Sequence, residues 1–559
     1  MSKSKPRSPD VKDAETPAAA DSAGSAGPAP AGKARRIAGG ATRVSALALE
    51  QEARLIREIV SILAGNSDVE PERGDKRFTD DAWKNNPFMR IWMQGYLSWA
   101  RALGNVVDGV PLTDRNRERL RFLVSTLVDA AAPTNTLIGN PTALRKMVDT
   151  GGGSVVQGVR NMVADLTNNK GMPTQVDKAK FRVGGNLATT PGAVVYRNEV
   201  LEVLQYGPVT KKVHARPQLM VPPQINKYYI FDMAPGKSII EFLVAAGLQV
   251  FAVSWRNPGA EHADWDMDTY VSALREAIAA VREITGADDV NVHGACSGAM
   301  TMSCLMGYDA ATGATQVHAA TMMVAVLDGR EESQLGLFTT PQVIALAKRS
   351  SASKGVIEGH DMGRVFAWMR PNDLIWNYWV NNYLMGNAPP AFDVLYWNND
   401  TTRLPARFHA DLMDIFVDHR LTTPKRMTVL GEAVDLRQVG CECYVLAGIS
   451  DHITPWQGVF NTSRQIGGRN TFVLSSSGHV QSLINPPGNA KARYFVGDES
   501  AVTADDWLDG AQAAAGSWWE HWKAWLVARS GPKVDAPVAL GSAKHPELEA
   551  APGLYVLER

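Results

Sequence analysis

Residues 290–302 read Val290-Asn291-Val292-His293-Gly294-Ala295-Cys296-Ser297-Gly298-Ala299-Met300-Thr301-Met302, and the rest of the chain is organised around them. The stretch opens on a β-branched run, Val290 to Val292, which predicts a strand. It closes on a run rich in Ala, Met and Cys that predicts a helix. Between the two, Gly294, Cys296 and Gly298 spell G-x-C-x-G, a nucleophile elbow carrying Cys where Ser is commoner. A turn this sharp leaves no room for flanking side chains, hence the paired glycines. It lifts the sulfur clear of the sheet and sets it at a helix N-terminus, a favourable place for negative charge. The plainer reading of the same residues is a structural Cys on a tight turn, and the choice between the two rests on partners.

A Cys nucleophile needs a base, and the base needs an orienting carboxylate. In α/β-hydrolases they follow in the chain order nucleophile, acid, His. Downstream, CYVLAGISDHITPW (443–456) predicts a strand over Tyr444 to Ala447, ending at Asp451. Next, NTFVLSSSGHVQS (470–482) predicts a strand over Phe472 to Leu474, followed by a Ser-Gly turn and His479. Both candidates lie just past the C-terminal end of a strand, where open α/β sheets place their sites. His452 adjoins the acid, but His479 has the better context, on a Gly-containing turn after what reads as the final strand. His293, on the elbow strand, reads as a hydrogen-bonded supporting residue, and His521 as a packing or surface residue.

Working outward, the chain has 559 residues, enough for a large core and two folded regions. Its 57 basic and 58 acidic residues nearly cancel, so no global field argues for nucleic acid. The 4 cysteines suit a reducing compartment rather than a disulfide framework. Cys441 and Cys443 form a C-x-C without a second pair to complete a zinc site, and with Cys304 they read as core. Residues 1–42 are rich in Ala, Pro, Gly, Ser and Lys and read as a disordered leader. No apolar segment after the basic start marks a secretory signal, and no apolar run is long enough for a transmembrane helix.

Residues 43–180 read as a helical N-terminal domain, with helices over Val44 to Ala64, Pro87 to Leu103, Arg115 to Ala131 and Thr142 to Lys170, the last interrupted at Gly151-Gly152-Gly153. On the first helix Leu49, Ala53, Ile56, Val60 and Leu63 form an apolar stripe, read as docked on its own domain, the alternative being a surface helix that contacts a partner or a lipid-like body. From about residue 181 the texture changes. GAVVYRNEVLEVLQY (192–206) predicts a β-hairpin, QLMVPP (218–223) and QVFAVSW (249–255) predict strands, and Ser238 to Ala246 and Tyr270 to Thr285 predict helices. Met322 to Leu327 predicts the strand after the elbow helix, and Ser517 to Ala528 a last helix against the sheet. This order is that of an α/β-hydrolase fold over residues 181–559. The loop Pro222 to Lys227 occupies the place that lends one oxyanion-hole N–H, with Ile225 the candidate; the other is the N–H of Ser297. The alternation lapses between about residues 328 and 436, where seven Trp and Tyr residues, Trp368 to Trp397, crowd together. This is the place of a cap insertion, its aromatics mostly a core of their own with a few lining an acyl channel.

With these residues in view, the chain resembles the poly(3-hydroxyalkanoate) synthases, class II most closely. The blocks that carry the resemblance are GACSG at Cys296, VPPQINKYY (221–229), FAWMRPNDLIWNYWVNNYLMGN (366–387), WNNDTTRLP (397–405), GISDHITPWQ (448–457) and SSGHVQSLINPPGNAKARY (476–494). Ala299 departs from the pattern, which leads one to expect a second Gly, and its methyl is expected to crowd the elbow helix and shape the pocket. The resemblance implies polymerisation of (R)-3-hydroxyacyl-coenzyme A with release of CoA. The implied course is a thioester on Cys296, His479 as base, and Asp451 orienting it and helping to activate the incoming 3-hydroxyl. It implies no cofactor and no metal beyond the CoA thioester substrate. It further implies a cytoplasmic location on polyester storage granules, with the growing polyester, granule-associated proteins and a second copy in a homodimer as partners. The same triad would serve a thioesterase or polyester depolymerase that admits water, and the helical region alone would suit a non-catalytic granule coat.

Overall fold

The computed structural model describes residues 30–559 apart from Glu331, Glu332 and Phe338, with side chains from Ser45 onward. A ten-stranded sheet forms its centre. The strands are β1 (Gly192–Arg197), β2 (Leu201–Tyr206), β3 (Gln218–Val221), β4 (Val250–Trp255), β5 (Val290–Ala295), β6 (Val317–Met323), β7 (Glu442–Gly448), β8 (Asn470–Ser475), β9 (Arg493–Val496) and β10 (Gln512–Ala515). They lie in the order β1-β2-β4-β3-β5-β6-β7-β8-β9-β10. From β4 to β8 the pairing is parallel; antiparallel pairs close both edges. Strands β3, β4 and β5 are buried along their whole length. That is why they read as unbroken apolar runs rather than alternating ones.

The sheet divides the core in two. One face packs Val253, Val292, Leu274 and Leu305 with helix Met267–Thr285 and the elbow helix Ser297–Thr312. The other packs Ala252, Met323 and Tyr444 under Trp518, Trp519 and Trp522 of the last helix, Trp518–Val527. The elbow thus opens at the C-terminal end of a central strand, with rigid layers on both sides.

Two strand assignments need correcting. The strand after the elbow helix is Val317–Met323, not Met322 to Leu327. Val324 turns the chain out of the sheet with φ +46°, and Ala325 to Leu327 stay buried as loop. A buried apolar run looks alike as strand or loop in the sequence. Nor is the strand before His479 the final one: β9 and β10 follow, short and poor in the branched residues that signal strands.

The N-terminal region is helical as expected: α1 (Pro30–Leu63), α2 (Pro87–Gly109), α3 (Asp114–Ala130), α4 (Pro141–Asp149) and α5 (Gly153–Asn168). Asn86 and Asn140 cap α2 and α4 ahead of a proline. The triple glycine separates α4 from α5, with Gly152 left-handed at φ +88°. Helix α1 begins at Pro30, inside the stretch read as leader; residues 1–29 lie outside the described residues. The stripe on α1 is not docked. Leu49, Ile56, Val60 and Leu63 are 65, 55, 61 and 65% exposed, and the helix meets α2 through Gln51 and Ile62 instead. There Asn105 Nδ2 donates to Gln51 Oε1 at 3.1 Å.

The insertion between β6 and β7 folds as a cap. It includes helices Pro341–Lys354, Gly359–Met369 and Ala406–Asp418 and two π-helical turns, Asn372–Trp376 and Val380–Leu384. Its aromatics form a seam to the N-terminal helices. Tyr383 donates to Asp165 at 2.8 Å and Trp379 Nε1 to the Asn135 carbonyl at 3.0 Å. Gly158 of α5 sits so close to Tyr383 that a Cβ there would fall on the Tyr383 carbonyl.

Candidate active site

Cys296 stands alone between β5 and the elbow helix with φ +49° and ψ −122°, a conformation that costs a non-glycine residue about 1–3 kcal/mol. It is held there by Cys296 N–H donating to the Met323 carbonyl at 3.0 Å and Ala299 N–H donating to the Cys296 carbonyl at 3.0 Å. A Cβ on Gly294 would lie 2.7 Å from Ala299 Cα, and one on Gly298 would lie 2.5 Å from the Val221 carbonyl. Both glycines are therefore demanded by close packing. Ala299 is buried over Gly294 and is not among the residues of the pocket wall. The pocket effect expected of its methyl is not found.

His479 lies beside Cys296, and its Nδ1 is 2.7 Å from Asp451 Oδ2. Asp451 is buried, and its other oxygen accepts the N–H groups of Ile453 and Thr454, each at 2.9 Å. Thr454 Oγ1 donates to Asp451 Oδ2 at 2.7 Å and lies 3.2 Å from His479 Nδ1. These bonds fix the carboxylate, and the carboxylate fixes the ring so that its other nitrogen is left for Cys296. Burial alone would push the His479 pKa down. The Asp451 charge and hydrogen bond outweigh it, with a contribution from Cys296, and raise His479 to about 10. Burial pushes Asp451 up, but His479 and the Thr454 bonds bring it below the usual carboxylate value.

The other candidates separate cleanly. His452 lines the same pocket but is driven down to about 4, by burial first and then by Arg370, and its Nδ1 has no hydrogen-bond partner. His293 is sealed in the core, bonded to Thr321 at 2.9 Å and Gln218 at 3.0 Å, and burial lowers it to about 3. His521 is bonded to the Tyr444 hydroxyl at 3.0 Å. Cys304 and Cys443 are buried, and burial pushes the Cys304 thiol up.

Ile225 shares the pocket wall with Cys296 and His479. Its loop is tied down on both sides. Gln224 N–H donates to Ser297 Oγ at 3.1 Å, and Thr402 N–H donates to the Ile225 carbonyl at 3.1 Å. Ser297 opens the elbow helix, where an N–H has no acceptor within the helix.

The pocket encloses about 410 Å³. Of the cap aromatics expected to line a channel, Trp397 does so, joined by Phe366, Leu374 and Leu395. Its third wall was not foreseen. Asn168, Asn169, Lys170, Met172, Pro173 and Gln175 reach it from the end of α5. Asp165 holds that loop by accepting Thr174 N–H at 2.9 Å. Thr454, three residues beyond the acid, was legible as a local Asx-turn partner. The α5 loop had no such local signal. Among the described residues, no group of three or more His, Cys, Asp or Glu is gathered as a metal site.

Two family models match this chain: the N-terminus of poly-beta-hydroxybutyrate polymerase over residues 74–243, and the alpha/beta hydrolase fold over residues 222–486. The chain is 49% identical over 502 residues to poly(3-hydroxyalkanoate) polymerase 1 of Ectopseudomonas oleovorans, covering 90% of each. It is 48% identical over 499 residues to polymerase 2 of the same organism, covering 89% of each. It is 40% identical over 489 residues to the poly(3-hydroxyalkanoate) polymerase subunit PhaC of Cupriavidus necator, covering 86% of this chain and 83% of that one.

Proposed function

We propose a mechanism for this chain from what it is: it belongs to the poly(3-hydroxyalkanoate) polymerase family, acyltransferases that join hydroxyalkanoate units. In our reading the substrate is a 3-hydroxyacyl-CoA thioester and Cys296 is the nucleophile. His479 takes the thiol proton as the sulfur attacks the thioester carbonyl. The tetrahedral oxyanion meets the N–H groups of Ser297 and Ile225. Collapse breaks the bond to CoA, and His479 returns the proton to the leaving thiolate. The acyl group then rests on Cys296 as a thioester of nearly equal energy, still activated. The 3-hydroxyl of a second acyl unit next gives its proton to His479 and attacks the carbonyl of the Cys296 thioester. The ester bond of the polymer forms, the C–S bond breaks, and the released Cys296 sulfur takes the proton back from His479, so that the hydroxyl replaces water as acceptor. Asp451 holds His479 in the tautomer both steps need and strengthens it as a base towards the hydroxyl.

The observation that carries this reading is His479 set between Asp451, at 2.7 Å, and Cys296, with His479 and Cys296 together in the wall of one pocket. The test is to supply (R)-3-hydroxybutyryl-CoA and follow both free CoA and the acyl product. Polymer with stoichiometric CoA supports the reading; free 3-hydroxy acid makes the protein a hydrolase; no CoA release removes the chemistry altogether.

The reading extends to place and partners. The product is an apolar polyester, so the chain works at the surface of cytoplasmic storage granules, among granule-associated proteins and as a homodimer. Supporting this, the exposed stripe Leu49, Ile56, Val60 and Leu63 gives α1 an apolar face towards such a surface. No described helix is long and apolar enough to cross a membrane.

A further inference from the structure

The loop Pro222 to Lys227 is fastened to three parts of the chain. At the end of β4, Trp255 Nε1 donates to the Pro222 carbonyl at 2.8 Å. From the cap, Thr402 Oγ1 donates to the Gln224 carbonyl at 2.5 Å, and Trp397 Nε1 to the Lys227 carbonyl at 2.7 Å. The third attachment is the side chain of Lys227. It is only 3% exposed, and it has no part in the proposed proton transfers at Cys296. A buried ammonium is costly unless its protons are bonded. Lys227 Nζ donates to the carbonyl of Glu558 at 2.6 Å, 331 residues further along the chain.

Glu558 is itself anchored to the sheet. The segment that carries it runs beside β1, where Leu548 N–H donates to the Val194 carbonyl and Val194 N–H to the Glu549 carbonyl, each at 2.8 Å. It then meets β2, where the buried Glu202 accepts the N–H groups of Leu554 and Tyr555, each at 3.1 Å. The Tyr555 ring lies under the Arg256 guanidinium, 4.5 Å from ring centroid to carbon. The Glu558 carboxylate accepts Asn257 N–H at 3.0 Å and Arg256 Nε at 3.3 Å. Arg403, beside Thr402, donates to the Arg559 carbonyl at 3.1 Å. The buried Tyr555 and Val556 already account for the packing of this segment. The Lys227 bond adds a connection to the loop that packing does not need.

We propose that residues 555–559 are a brace for the oxyanion loop, with Lys227 and Glu558 as positioning residues. The brace holds Lys227, and Lys227, just past Ile225, holds the Ile225 N–H where the thioester oxygen becomes negative. The inference rests on the reading of Ser297 and Ile225 as the oxyanion donors. The two donors differ in support. Ser297 is set by the elbow helix, whereas Ile225 lies on a loop. A donor stabilises the oxyanion only when it is held to within about 0.5 Å before the charge develops. Sheet and cap fix the loop through its carbonyls, and the brace fixes it at the lysine.

The test uses Lys227→Met, which keeps the bulk and removes the donor, and Glu558→Ala, which frees the brace from Asn257 and Arg256. With (R)-3-hydroxybutyryl-CoA, kcat should fall about tenfold in each, less than for loss of a whole oxyanion donor, with KM within about twofold of the parent. The double variant should fall no further than the slower single one, because both substitutions cut the same connection. The thermal midpoint of Lys227→Met should not drop, since an apolar side chain replaces a buried charge. An unchanged kcat in both single variants, a rise in KM at constant kcat, or losses that multiply in the double variant overturns the brace and leaves the oxyanion reading standing. The oxyanion reading is tested apart from it by Gly298→Ala: if that variant keeps its kcat, both fall.

Discussion

At the scale of single residues, the elbow makes the sharpest demands. Cys296→Ala removes only a sulfur from a position already held by backbone bonds, so CoA release should fall to background while the thermal midpoint stays within about 2 °C. Cys304→Ala, a substitution in the core, should lower stability by about 1–2 kcal/mol and keep substantial turnover. Equal loss of turnover in both variants would contradict the assignment. Gly298→Ala is a test of a different kind. Its Cβ would press on the Pro222 and Val221 carbonyls, and with the loop from Pro222 acting as the proposed oxyanion donor kcat should drop by about 10²-fold, the size expected for a lost oxyanion donor.

The pair His479–Asp451 predicts a pH signature. The folded pKa of His479, about 10, lies above its unfolded value near 6.5. Its stabilising contribution is therefore complete below about pH 6.5 and is lost as pH rises towards 10. Asp451 is shifted the other way, so its contribution is present above its unfolded value near 4 and is lost as pH falls below it. The difference in thermal midpoint between the parent and His479→Gln should be largest near pH 5–6 and shrink by pH 9–10. A difference that grows with pH would mean the imidazole is not paired as described.

At the scale of elements, the sequence and the structure agree where signals are local and part where they are not. Cys296, Asp451 and His479 could each be read because a strand and a turn announce each of them within a few residues. The β6 register was misread because apolar residues continue into a buried loop. The stripe on α1 marked an apolar face correctly but could not say what covers it. The α5 loop was missed as a pocket wall because it is brought there by contacts between residues far apart in the chain, such as Tyr383 with Asp165. Those contacts can be broken singly. Gly158→Ala would drive a methyl into the Tyr383 carbonyl. It should lower the thermal midpoint and raise KM together, because the helix it displaces ends in the pocket wall. By contrast Ile56→Glu/Val60→Glu alters an exposed face. It should leave the midpoint within about 2 °C but move the protein from the granule fraction to the soluble fraction on sedimentation.

At the scale of the whole molecule, three regions converge on one cavity. The sheet supplies Cys296 and His479 at its C-terminal edge, with Asp451 buried behind His479, the cap supplies Trp397 and Arg364, and the N-terminal helices supply Asn168, Lys170, Pro173 and Gln175. The sheet alone has the frame of a hydrolase, and the regions added to it supply the rest of the wall of the site. The central claim is that this site holds its acyl group on one sulfur. The most direct measurement is a single turnover with one equivalent of (R)-3-hydroxybutyryl-CoA, quenched in acid, with free CoA counted and the peptide containing Cys296 weighed by mass spectrometry. The account predicts one CoA released for each 3-hydroxybutyryl group found on Cys296, and no label on Cys304, Cys441 or Cys443. Release of CoA with Cys296 unmodified, or with the acyl group on another residue, would contradict it.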